Sequence, residues 1–366
     1  MKVALVYDRV NKWGGAERVL LALHELFPKA PLYTSVYNPK TAQWAEVFPK
    51  IIPSLLHYLP FARTRHDLYA PLMPLAFKSF DFSGFDLVIS VTSEAAKSIK
   101  VGDRTKHICY CLTPTRYLWS GYDQYFNTKL RKIISWPLVK ALRLWDKRAA
   151  QKPEVMIAIS QAIADRIKKY YGREVEVIYP PVDVSQVSRV LPVPQSSRYY
   201  LVVSRLVPYK KVDIVIKAFN KLKLPLVIVG TGSEEISLRR KSRSKNTSFI
   251  GQVTDGELAG FYKNCKALIF PQDEDFGIVA VEAQMWGKPV LAYHAGGALE
   301  TVVEGKTGIF FNKQTIESIV QGVKRMERRS FKSEDCINNA KKFTKEKFLR
   351  KFGKLTKSVA NNYCRI

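Results

Sequence analysis

Residues 267–290 read ALIFPQDEDFGIVAVEAQMWGKPV. Four apolar residues from Ala267 to Phe270 make a run of buried-strand length, and Pro271 ends it. A short acidic loop follows, then an apolar-periodic stretch from Phe276 that Gly287 closes as a helix end. With the next apolar run at 289–292, this is a βα unit of a parallel sheet. Glu274 falls in the loop and Glu282 about two turns into the helix, while Asp275 is placed to cap it. Amides at Phe276, Gly277 and Ile278 would then face outward at the positive helix end, ready for phosphate. A carboxylate on the helix can bind a ribose diol, and one in the loop can bind sugar hydroxyls. Two carboxylates can also serve as the acid and nucleophile of a glycosidase.

The same alternation extends both ways. Downstream, AYHAGGALETVVEGKTGIFF (292–311) places Gly296-Gly297 in another tight βα turn, with His294 at the strand end. Upstream, VVSRLVPYKK (202–211) sets Arg205 and Lys210 directly after an apolar strand. Two cations there suit a diphosphate, which favours a phosphate-bearing substrate over a plain glycoside. The second half predicts strands at 199–204, 226–229, 248–250, 267–270, 289–292 and 308–311, with helices from Asp213, Glu234, Asp255, Phe276 and Ile316. The first half predicts strands at 3–7, 86–90, 108–112, 155–160 and 175–178, with helices near Ala16, His66, Thr128 and Gln161. Its first turn, DRVNKWGGAERVLLAL, puts Gly14-Gly15 at a helix start where amides can meet an anion. A plain strand–helix turn is the other reading. The dinucleotide fingerprint is absent, because no third glycine or downstream acid stands in register.

The fold class is therefore α/β, with two Rossmann-like doubly wound domains facing a central cleft. The expected domains are 1–182, a proline- and serine-rich linker at 183–198, 199–340, and a basic amphipathic helical segment at 341–366. At 366 residues the chain suits two cores. No apolar run approaches bilayer-spanning length, and the first residues do not form a signal peptide, so a cytoplasmic protein is expected. Five scattered cysteines suggest buried thiols, not disulfides or zinc. No metal-ligand cluster is visible, so no metal or other cofactor is expected.

Lys and Arg number 59 against 32 Asp and Glu, a net charge of +27 shared by both halves of the chain. Anionic partners are implied, or a solvated basic surface. No nucleic-acid module accompanies the charge, so nucleic acid is not among the expected partners. The stretch TKLRKIISWPLVKALRLWDKRAAQK (128–152) mixes lysine and arginine with isoleucine, leucine and tryptophan. Pro137 divides it into two short amphipathic pieces, which suit an anionic membrane surface or a helix packed on the first sheet.

Taken in order and spacing, GGAER (14–18), SRLVPYKK (204–211), Glu274-x7-Glu282 and the GG-x-x-E-x-V-x-x-G-x-x-G run from Gly296 resemble glycosyltransferase family 4 over nearly the whole chain. The resemblance implies a GT-B, retaining, metal-independent enzyme that uses a nucleotide-sugar and a lipid-linked glycan acceptor at the inner face of the plasma membrane. It assigns catalysis to Glu274, Arg205 and Lys210. Gly15, Gly251, Val253, Phe276, Gly277, Ile278 and Glu282 join them in donor binding, and Gly14, Gly15, Arg116 and Tyr117 stand on the acceptor side. HICYCLTPTRYLWSGYDQYF (107–126) is similar to bacterial O-antigen and exopolysaccharide mannosyltransferases of the WbaZ-like subgroup, which implies a hexose, mannose from GDP-mannose. Leu112 replaces that subgroup's histidine and Ser120 its aspartate, and Lys211 stands where the phosphate loop often has glycine. The histidine lies against the donor sugar in the family, so a nucleotide-sugar-binding protein with weakened catalysis is the alternative.

Overall fold

The computed structural model describes residues 1–183, 198–243 and 245–361. These form two compact units, 1–181 with 345–366 and 182–344. The linker expected at 183–198 falls almost wholly on residues 184–197, outside the described residues, as do residues 362–366 at the chain end.

The first unit is built on seven parallel strands: β1 (Val3–Tyr7), β2 (Leu32–Thr34), β3 (Ile51–Pro53), β4 (Leu87–Thr92), β5 (Lys106–Cys111), β6 (Val155–Ala158) and β7 (Glu176–Val177). They lie in the order β3-β2-β1-β4-β5-β6-β7. β2 and β3 were not among the expected strands: each has three residues, too few for alternation to show. On one face Ala4, Val6 and Val88 pack with Phe77, Phe82 and Ile99. The helix Lys345–Asn361 completes this unit. Its Phe348 and Phe352 are buried with ring centroids 5.8 and 6.0 Å from Tyr110, and Lys345 pairs with Glu25 at 3.1 Å.

The second unit has six parallel strands: β8 (Tyr200–Val203), β9 (Leu226–Val229), β10 (Thr247–Gly251), β11 (Ala267–Phe270), β12 (Val290–Tyr293) and β13 (Gly308–Phe311), in the order β10-β9-β8-β11-β12-β13. Side chains alternate across the sheet. Tyr200 and Val202 pack under the helices Val212–Leu222 and Ile316–Glu327, whereas Leu201 packs against Phe261, Ala280 and Ala283 on the other face. Both faces are thus covered, as a doubly wound sheet requires. Val182 donates its amide to Phe343 at 3.0 Å, pinning the start of this unit beside its end.

Two local expectations are corrected. Residues 129–149 form one helix, Lys129–Ala149, with Pro137 inside it, not two pieces. Proline removes the bond to the carbonyl four residues back, which belongs to Ile133 on the exposed face. The inner face holds the helix in place: Val139, Asp146 and Ala149 are buried, and Arg143 donates to the Leu118 carbonyl at 2.6 Å. In the second unit, Asp275 is not the N-cap residue of the helix after β11. That helix is Ile278–Met285, and its N-cap is Gly277 at φ 89°, which has no side chain to offer. The chain enters the helix through the left-handed turn at Gly277, where the Phe270 ring leaves only 2.8 Å for a Cβ.

Candidate donor and acceptor sites

In the second unit the strand order reverses between β8 and β11, the place where open α/β sheets bind ligands. The loops leaving those two strands carry the predicted residues. Arg205 is exposed after β8, and Lys210 is buried at the end of the short turn Pro208–Lys210. Glu274, in the loop after β11, forms an ion pair with Lys210. Tyr209 connects the two cations: it accepts from Arg205 Nη2 at 2.8 Å, and its ring lies 5.0 Å from the Lys210 ammonium. The predicted phosphate-holding and sugar-holding side chains are thus in direct contact.

Two glycine turns hold these loops in place. After β12, Gly297 donates its amide to the Glu274 carbonyl at 2.8 Å. A Cβ on Gly296 would run into the Asp273 carboxylate and the Glu274 carbonyl, and one on Gly297 into the Phe276 backbone. After β9, Gly230 and Gly232 lie against the backbone of Ser204 and Leu206, again leaving no room for a Cβ. Thr231 accepts the Leu206 amide at 2.9 Å. Tyr209 and the Gly230–Gly232 turn were missed from sequence; a Gly-x-Gly directly after an apolar strand was the available signal. Lys211, where a glycine was noted as common, adopts φ 54° as the residue before helix Val212–Leu222.

Glu282 lies just over one turn into its helix, not two, and is buried, accepting from Tyr262 Oη at 2.8 Å. Phe276 is buried with its ring 5.4 Å from Phe343, and Ile278 opens the helix, so the first amides there have no intrahelical acceptors. Gly251 ends β10 at φ 84°, with its carbonyl accepting from Gly230 N at 2.7 Å, and Val253 is half-buried just beyond. His294 is exposed, its ring 4.8 Å from Phe310.

In the first unit the reversal falls between β1 and β4. Gly14 precedes helix Gly15–Leu26 in an extended conformation, and Glu17 in the first turn is buried beneath it, accepting from Tyr7 Oη at 2.7 Å. The sequence reading overlooked Asp8. Its buried carboxylate accepts from the amides of Ser93, Glu94, Ala95 and Ala96 at 2.6–3.0 Å and from Thr92 Oγ1 at 3.0 Å. Burial and the Glu94 carboxylate push its pKa up, and the Ala96 and Ser93 amides oppose this. Leu112 is half-buried directly after β5, its amide donating to the Thr92 carbonyl at 2.8 Å. Arg116 and Tyr117 are half-buried in the following loop, and burial followed by the Glu94 carboxylate raises the Tyr117 phenol.

That loop is fastened by a buried ion pair. Lys97 and Asp146 meet at 2.7 Å, both essentially without exposed surface. Asp146 also accepts from Thr115 Oγ1 at 2.9 Å, Trp119 Nε1 at 2.7 Å and Tyr171 Oη at 2.8 Å. The Arg143 guanidinium lies 5.4 Å from Trp119 and 4.9 Å from Tyr122. Cys109, Cys111, Cys265 and Cys336 are free and buried, and burial pushes Cys109 up to about 11 and Cys265 up to about 12. Cys364 lies outside the described residues. Among the described residues, no group of three or more His, Cys, Asp or Glu is arranged to hold a metal ion, and no helix is long and apolar enough to cross a membrane.

Comparison with known proteins gives the family and the fold. The model for glycosyltransferase family 4 matches residues 13–186, and that for glycosyl transferases group 1 matches residues 183–343. The chain belongs to glycosyltransferase family 4. Curated relatives include an uncharacterised glycosyltransferase of Methanocaldococcus jannaschii, 28% identical over 56% of this chain and 60% of its own length. Another is the GDP-mannose-dependent α-(1-6)-phosphatidylinositol monomannoside mannosyltransferase of Mycobacterium tuberculosis, 26% identical over 52% of this chain and 57% of its own. The matched part thus spans about half the length of these relatives. Among solved structures, the Anabaena protein HepE with UDP and glucose has a TM-score of 0.72 at 20% identity, covering 98% of this chain and 100% of its own. The lipopolysaccharide outer core galactosyltransferase WaaB has a TM-score of 0.68 at 18% identity, covering 98% and 99%. The family 4 chain therefore has the GT-B fold of two Rossmann-like units.

Proposed function

We propose that this family 4 chain is a retaining, metal-independent glycosyltransferase that moves a hexose, mannose from GDP-mannose in the first instance, to a lipid-linked or polysaccharide acceptor of the cell envelope. The observation that carries the reading is the contact of Lys210 with Glu274 where β8 and β11 meet, beside the glycine-led start of helix Ile278–Met285. One ligand with a diphosphate and a sugar can engage both side chains. Arg205, Lys210 and the helix amides would carry the leaving-group charge, the electrostatic role that metals play elsewhere. Glu274 would face the sugar, and Glu282, oriented by Tyr262, the ribose. The choice of GDP-mannose is supported by the mycobacterial relative's name and the mannosyltransferase-like 107–126 stretch.

The exposed side of helix Lys129–Ala149 supports a position on the cytoplasmic face of the membrane. Ile133, Ile134 and Trp136 are 71%, 71% and 57% exposed among Lys129, Arg131 and Lys140. An apolar face mixed with cations suits anionic head groups, each basic residue adding about 1 kcal/mol.

Alanine at Arg205 or Lys210 is expected to weaken UDP and GDP binding by about 1.5–3 kcal/mol each, read by calorimetry. Loss of Lys210 is the more severe, because it leaves the Glu274 carboxylate beside the phosphates. Equal affinities in parent and variants would remove the clamp. Labelled GDP-mannose, UDP-glucose and UDP-N-acetylglucosamine, offered with lipid-linked acceptors, test the reaction: transfer from one donor is expected and should survive EDTA. Abolition by EDTA with rescue by Mn²⁺ would overturn metal independence. A second reading rests on Leu112, whose side chain brings no polar atom to the end of β5. Donor binding without transfer or hydrolysis would favour that nucleotide-sugar-binding protein.

A further inference from the structure

The first unit exposes a second apolar surface that its own packing does not use. Among the described residues 21 large apolar side chains are exposed, and 13 of them fall within residues 55–75 and 130–144, so the exposure is concentrated. In the earlier stretch Leu55, Tyr58, Phe61 and Leu75 are 75%, 73%, 73% and 63% exposed. Phe61 is also held at φ 58°, a left-handed conformation that is a genuine outlier for a bulky residue. The turn enforces it. The amides of Thr64 and Arg65 donate to the Phe61 carbonyl at 3.1 and 2.7 Å, and Tyr69 Oη donates to Pro60 at 2.8 Å. A strained aromatic that stands in solvent contributes nothing to the core, so its presence calls for a contact outside the chain.

The surroundings say which contact. Arg63 and Arg65 flank the turn, both exposed. At the far end of the stretch Lys78 and Lys100 converge on Lys152, whose ammonium is held below the ordinary lysine range by burial and by those two charges. Trp145 of helix Lys129–Ala149 packs on the cluster of Leu56, Met73 and Phe77 that underlies residues 55–77, so both exposed faces are carried by neighbouring elements.

We propose that the 58–65 turn inserts into the head-group layer of an anionic phospholipid membrane, Phe61 leading, as a second contact beside helix Lys129–Ala149. Aromatic side chains next to arginine suit that layer, with the ring among acyl chains and the guanidinium at phosphate. The inference rests on the membrane reading given above and extends it to a new element.

The test is sedimentation with vesicles of phosphatidylcholine mixed with phosphatidylglycerol. It compares the natural protein, a turn variant (Leu55→Ser, Tyr58→Ser, Phe61→Ser) and a helix variant (Lys129→Glu, Arg131→Glu, Lys132→Glu, Lys140→Glu). The turn variant is expected to lose roughly tenfold or more in lipid affinity, while UDP and GDP binding stays unchanged. Phe61→Gly alone is expected to lose lipid affinity yet unfold no earlier than the parent, because the left-handed site suits glycine. A turn variant that binds like the natural protein, while the helix variant does not, overturns the turn and leaves the membrane reading standing. A natural protein that ignores anionic vesicles overturns both. A lipid-free dimer, seen by light scattering and dissolved by the turn variant, would assign the surface to a second copy instead and overturn insertion.

Discussion

Asp146→Ala is expected to destabilise the first unit by about 3–5 kcal/mol, the range for removing one member of a buried ion pair. The cause is what the change leaves behind. Lys97 would keep its charge in a site with 1% exposure, without its carboxylate at 2.7 Å. Thr115, Trp119 and Tyr171 would each lose an acceptor at 2.7–2.9 Å. Urea unfolding followed by tryptophan fluorescence reads this unit, since Trp13, Trp44, Trp119, Trp136 and Trp145 lie in it and only Trp286 in the other. Replacing both partners, Lys97→Met with Asp146→Leu, should recover much of the loss, because no charge is then stranded. A single variant within 1 kcal/mol of the parent would show that water reaches the pair.

The second large effect is on acid stability. His107, buried on β5, has its pKa pushed down to about 3 by burial and by the nearby Lys152 and Arg173 charges. Ser90 Oγ is bonded to its Nε2 at 2.8 Å, and Nδ1 has no partner in the fold. The ring is therefore neutral in the folded unit, whereas in the unfolded chain it titrates at about 6.5. Stability is complete above pH 6.5 and falls as pH drops toward 3, because only the unfolded state takes up the proton. Between pH 7 and pH 4 the loss from this group is about 3 kcal/mol. His107→Gln should flatten the unfolding free energy against pH by that amount. An unchanged slope would mean that the folded ring is protonated near neutrality.

The second unit was legible because most of its strands are short apolar runs that end in turns, and the cations and carboxylates sit at two of those turns. Arg205, Lys210 and Glu274 could thus be assigned to one sheet edge before their contact was known. Where local geometry overrode residue preference, reading failed: Gly277 displaced Asp275 as the helix cap, and Pro137 did not break a helix pinned by its inner face. The first unit was harder. β2 and β3 are too short to carry a period, and their strand state comes from pairing with β1 and with each other. Asp8, Lys97 and Asp146 drew no assignment from sequence, since nothing local tells a lysine or an aspartate that its partner lies far along the chain.

The helix Lys345–Asn361 has a consequence for how the molecule is made. It lies at the far end of the chain yet covers Tyr110 in the first unit, whereas residues 182–344 close on themselves, their two ends joined by the Val182–Phe343 bond. A ribosome adding about 5–20 residues per second therefore completes the later unit before it releases the last piece of the earlier one. For that interval, on the order of ten seconds or more, the Tyr110 side of the nascent first unit stays uncovered, an apolar surface open to wrong contacts during synthesis.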